Sequence, residues 1–89
     1  MTHILKRKGH TQEFDERKLY ASIYAACLSS HTPHQEAENM ANLVTQEVKK
    51  WLANQEEITS DKIFKQAVVE LEHLNKDAAF MYSTHRDIS

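Results

Sequence analysis

The run TPHQEAENMANLVTQEVKKWLA, residues 32–53, reads as one long amphipathic helix. Pro33 suits a first helical position, where the missing N–H costs nothing. Thr32 and Gln35 have the Thr-x-x-Gln spacing of a capping box. Ala37, Met40, Ala41, Val44, Val48, Trp51 and Leu52 recur at steps of three and four, one face of a 3.6-residue period. A helix with such a stripe is stable only when other elements cover it, and the flanking sequence supplies three.

Upstream, Asp15 has the chemistry of an N-cap for a helix over about 16–29, with Glu16 in its first turn. Leu19, Ile23, Ala26 and Cys27 form its apolar face, flanked by Tyr20 and Tyr24. Ser29-Ser30-His31 reads as a frayed end. Downstream, Thr59 or Ser60 caps a helix over about 60–74, whose stripe is Ile63, Ala67, Leu71 and Leu74, with Phe64 and Val68 beside it. Asn75 stops it. A helix over about 76–86 carries Ala78, Ala79, Tyr82 and His85.

The N-terminus has a different pattern. His3-Ile4-Leu5 and Thr11-Gln12-Glu13 flank Gly9, the chain's one glycine and its natural left-handed turn position. They predict a hairpin over about 3–14, and Glu56-Glu57-Ile58 predicts a short third strand. Two strands alone are marginal in water, so they need a surface to lie on. The fold class that follows is α+β, mainly α: a four-helix bundle capped by a small N-terminal β-hairpin or three-stranded sheet. Residues 1–89 form a single domain on this reading.

Composition agrees with that class. Eighty-nine residues, 40% of them apolar, fill one modest core. One Gly and one Pro argue against an all-β or loop-rich chain. No apolar run approaches the roughly 18 residues of a membrane span, and no signal-peptide core is present. Cys27 is the only cysteine, so no internal disulfide can form, and a reducing cytoplasmic setting is the default expectation. Met1 at the start is in keeping with a complete small protein rather than an excised domain.

The net charge of −2 is unevenly placed. Residues 1–18 carry five basic groups (Lys6, Arg7, Lys8, Arg17, Lys18) against three acidic ones, and the remainder six against ten. The balance argues against direct DNA binding and leaves a local cationic end suited to a small anion. A solvated charge cluster with no ligand gives the same count.

Enzyme motifs are missing. A single Gly excludes a Gly-rich phosphate loop. His31 and His34 have no third ligand nearby in sequence, so a metal pair is not expected. Cys27, Trp51 and the tyrosines lie at helical spacing and read as packing residues. The segment Ile4–Lys18 is the stronger signal, because it sets three cations and a glycine before a helix start, where phosphates bind. Lys6 and Arg7 are adjacent, so a regular strand sends them to opposite faces. Both reach one ligand only where the strand twists or the ligand wraps its edge.

This segment resembles the opening of the ATP-cone family, the nucleotide-sensing domain of many ribonucleotide reductases and of their dedicated repressor. The matching residues are Ile4-x-Lys6-Arg7-x-Gly9 and Phe14-Asp15-x-x-Lys18-Leu19. Later landmarks match at Ala37-Glu38, at Ile58-Thr59-Ser60-x-x-Ile63 and at Ala79-x-x-Tyr82-x-x-x-Arg86. The resemblance implies a four-helix bundle under a three-stranded cap. It also implies a non-catalytic domain that binds ATP or dATP beneath the cap, usually with Mg2+ on the phosphates, and acts as an allosteric sensor for a partner such as a ribonucleotide reductase subunit. Nucleotide-dependent homo-oligomers go with that role.

Carried over by position, Lys6 and Arg7 contact phosphate and cap, Lys18 contacts phosphate, and Ile4 lines the base pocket. Ser60 offers a hydroxyl near the base. Gln12 stands where the family often has Glu, and Phe64 where it often has His or Gln, so a ring replaces a polar partner for adenine. The chain ends at Ser89, where the family often continues with basic residues. The alternative is an interaction module that keeps the fold without the ligand and docks through exposed apolar residues such as Val69 and Phe80.

Overall fold

The computed structural model describes residues 3–5, 11–55 and 57–84, with side chains from Phe14 to Gln55 and from Ile58 to Thr84. It is mainly helical, with strands β1 (His3–Leu5) and β2 (Thr11–Glu13), then helices α1 (Glu16–Ser29) and α2 (His34–Leu52). β3 (Glu57–Thr59), α3 (Ser60–Leu74) and α4 (Lys76–Thr84) complete the order. The radius of gyration is 12.6 Å, against about 12 Å for a compact chain of this length.

The helices alternate in direction. Glu16 at the start of α1 meets Lys49 near the end of α2, Oε2 to Nζ 2.9 Å. Asn75, which closes α3, donates from Nδ2 to Thr32 Oγ1 (2.8 Å) beyond the end of α1. Phe64 near the start of α3 packs its ring against Tyr82 near the end of α4. The starts of α1 and α3 and the ends of α2 and α4 therefore share one end of the bundle. The strands are at that end too. β3 runs straight into α3, and β2 ends just before the Asp15 cap of α1.

β1 is the middle strand, antiparallel to β2 and parallel to β3. Ile4 is level with Gln12 on one side and Ile58 on the other. Ile58 is buried and belongs to the same apolar cluster as the helices, so the sheet is joined to the bundle core. Residues 6–10, including the Gly9 turn, lie outside the described residues.

The core consists of Leu19, Ile23 and Cys27 of α1, Ala37, Ala41, Val44, Val48 and Leu52 of α2, Ile63, Ala67 and Leu71 of α3, and Ala78 and Ala79 of α4, with Ile58. Met40 and Trp51, placed in the α2 stripe by periodicity, pack against it from its half-buried margin. Leu74 does not join the core: it is 42% exposed. The buried row of α3 advances in steps of four through residues 63, 67 and 71, and Asn75 takes the next inward place, leaving Leu74 one position off it. His85 lies outside the described residues.

Two helix ends differ from the sequence expectation. Ser29-Ser30-His31 is a tight C-terminal closure, not a frayed end. Thr32 N–H donates to Cys27 O and His31 N–H to Leu28 O, both at 3.0 Å, and His31 has φ 65°. This is the paired bonding of a Schellman motif, with a non-glycine residue at the left-handed position. His31→Gly removes the Cβ clash there. Stabilisation by about 0.5–1 kcal/mol is expected, read as a melting rise of about 2–8 °C.

The Thr32–Gln35 capping box is not formed. α2 starts at His34 behind Pro33, which gives no side-chain cap. Thr32 is buried, and its hydroxyl meets Asn75 Nδ2 and Ser30 Oγ (3.0 Å) instead. A tertiary partner has taken the hydroxyl that the local motif needed. Asn75 is the counterpart of that exchange: its Oδ1 accepts from Ala78 N–H at 3.0 Å and caps α4. One side chain so fixes the α3–α4 corner to the α1–α2 corner.

Candidate functional site

Two helix starts, those of α1 and α3, lie at the sheet end of the bundle, and at a helix start backbone N–H groups and the helix dipole favour anions. Asp15 already serves α1: its Oδ1 accepts from Arg17 N–H (3.0 Å) and Lys18 N–H (3.4 Å). Lys18 is exposed in the first turn, beside the buried Leu19 that anchors the helix. On α3, Thr59 is the N-cap and its Oγ1 accepts from Lys62 N–H at 3.3 Å. Ser60, the first residue of α3, is exposed and adjacent to that cap.

Phe64 is half-buried one turn into α3, and its ring lies against Tyr82 with centroids 4.9 Å apart and planes tilted by 35°. The pair forms an apolar wall at the same end. Tyr82 was given no site role by the sequence; its place in the Ala79-x-x-Tyr82 landmark was the available signal, and only the packing of α4 on α3 sets it beside Phe64. Ile4 and Gln12 are paired positions in the sheet. Lys6 and Arg7 lie outside the described residues, so their reach toward Lys18 is not part of the geometry. Acidic groups temper the cationic character: Glu16 is bound to Lys49, and Asp61 is in the first turn of α3.

Cys27 is fully buried, and burial pushes its thiol pKa up from the ordinary value, away from the reactive thiolate. Among the described residues, no group of three or more His, Cys, Asp or Glu side chains is placed to hold a metal ion. No described helix is long and apolar enough to cross a membrane. Val69 and Phe80 are exposed, at 43% and 66%.

Comparison with known proteins adds to this geometry. The sequence model of a family described as "ATP cone domain" matches residues 2–89. A transcriptional repressor, NrdR of Thermosynechococcus vestitus, is 27% identical over 81 residues, which cover 91% of this chain and 49% of that protein. The chain thus spans about half the length of the curated relative it matches.

Proposed function

The chain belongs to the ATP-cone domain family, and from that premise we propose that it is a regulatory domain that binds ATP or dATP and catalyses no reaction. The observation that supports the proposal most is that α1, which carries Lys18, and α3, which carries Ser60 and Phe64, both start at the end of the bundle where the sheet joins it. The sheet is the cap over the nucleotide. Lys18, with Lys6 and Arg7, holds the phosphates by charge-assisted bonds. Phe64 and Tyr82 give the base an apolar wall, and Ile4, Gln12 and Ser60 border it.

Mg2+ fits this arrangement as a phosphate-bound ion. It keeps several waters and needs few protein oxygens, and Glu16 at this end is engaged by Lys49. On this reading the phosphates are held and not cleaved. The nucleotide acts as an allosteric signal by binding two arrangements of the protein unequally. The readout is a change of association, either between copies of this chain or with a cytoplasmic partner. A ribonucleotide reductase subunit is one such partner. Likeness to half of a transcriptional repressor favours a transcription regulator as the other.

A second reading is favoured by the exposure of Phe80 and Val69: an interaction module that binds protein without nucleotide. Calorimetric titration with ATP, dATP and GTP in the presence of Mg2+ separates the two. Saturable heat from the adenine nucleotides and a much weaker response to GTP are expected. No heat and no thermal shift at millimolar nucleotide leaves the interaction module as the account.

A further inference from the structure

At the far end of the bundle from the sheet, Tyr24, His34 and Glu38 form a hydrogen-bonded chain that the nucleotide reading does not use. The Tyr24 hydroxyl bonds to Nδ1 of His34. Nε2 of the same ring is 2.9 Å from Oε1 of Glu38, one turn further along α2. The rings of Tyr24 and His34 meet edge to face at 5.5 Å. On the other side, Tyr24 stacks on Tyr20, centroids 6.4 Å apart and planes 9° from parallel.

The direction of the chain follows from the donor inventory. A carboxylate only accepts, so Nε2 of His34 carries the proton given to Glu38. In the neutral ring Nδ1 is then bare, and the Tyr24 hydroxyl must donate to it. The result is a hydroxyl, a base aimed at its proton, and a carboxylate that fixes the base's tautomer. That constellation activates a weak oxygen nucleophile. The hydrogen bond lies at the surface, and the His34 side chain is 68% exposed, so small reagents can reach it.

We propose that Tyr24 is a covalent modification site, a phenol primed to accept an acyl group from an electrophilic acyl donor. With N-acetylimidazole as donor the step balances. Tyr24 Oη forms a bond to the carbonyl carbon while its proton moves to Nδ1 of His34. The bond from that carbon to the donor's imidazole nitrogen breaks, and the departing imidazole takes the proton from His34. Tyr24 is left as the acetyl ester and His34 neutral. Acylation removes the donor that ties α1 to the first residue of α2.

The test is a time course of N-acetylimidazole acetylation on the whole chain, read by peptide mass spectrometry. Tyr20, the neighbouring ring in the stack, is the internal reference. Acetylation of Tyr24 about ten-fold or more faster than Tyr20 is expected, in the range of a positioned base. His34→Gln abolishes that advantage. Glu38→Gln reduces it, because an amide can donate to Nε2 and no longer fixes the tautomer. An unchanged Tyr20 rate in both variants reports that the fold is kept. Equal rates at the two tyrosines, or a Tyr24-to-Tyr20 ratio that His34→Gln does not move, overturns the proposal.

Discussion

Leu71→Ala is expected to destabilise the domain by about 2–5 kcal/mol, the range for removing a fully buried leucine side chain. Leu71 is 0% exposed on the inner row of α3, in the cluster that joins all four helices and β3. Total stability for a chain of this size is only about 4–13 kcal/mol. One cavity therefore removes a large share of it and lowers the melting temperature by about 10 °C or more. Small residues in the same cluster sharpen the effect: Ala37, Ala41, Ala67, Ala78 and Ala79 are buried there, and none has a longer side chain to swing into a void. Leu43→Ala is the control. Leu43 is 51% exposed on the outer face of α2, and its loss costs within about 0.5 kcal/mol. Thermal and urea melts of both variants check the pair.

Lys18→Ala is expected to weaken ATP binding roughly ten- to a hundred-fold with little change in melting temperature. A hydrogen bond to a charged group contributes about 1.5–3 kcal/mol, and each 1.4 kcal/mol is a factor of ten in affinity. The side chain is exposed, so its removal leaves the core intact. The Asp15 cap also survives, because it uses the backbone N–H of Lys18. Lys49 is the matched control at the same end of the bundle. It is engaged with Glu16, so Lys49→Ala changes affinity far less. Equal losses in the two variants point to diffuse charge attraction and not to a placed phosphate contact. Rising salt separates these as well, since screening weakens a diffuse field first.

The helices were legible because their apolar residues keep a 3.6-residue period over two to five turns. What the period could not show was where a polar group finds its partner. Thr32 and Gln35 fit a local capping box, yet the Thr32 hydroxyl goes to Asn75, 43 residues away. Tertiary bonds of that kind leave no trace in local spacing. The same holds for Tyr24 and His34, where one residue read as a flank of the core and the other as half of an unsupported metal pair. Leu74 shows the converse limit: its spacing is right for the stripe, but the stripe ends at Asn75. Strands of three residues carry almost no alternation, so the register Ile4–Gln12 and Ile4–Ile58 comes from the structure alone. Of the candidate site, Lys18, Ser60 and Phe64 were named from the resemblance. Tyr82 needed the packing of α4 on α3.

On the proposed function, an adenine nucleotide binds at the sheet end of the bundle. An amide chemical-shift map of the whole chain during titration with ATP and Mg2+ tests it most directly. Saturable shifts centred on Ile4, Lys18, Ser60 and Phe64 are expected, with Tyr24, His34 and Asn75 at the opposite end unmoved. Shifts centred on the Tyr24–Glu38 end, or a spectrum unchanged at millimolar ATP, would contradict it.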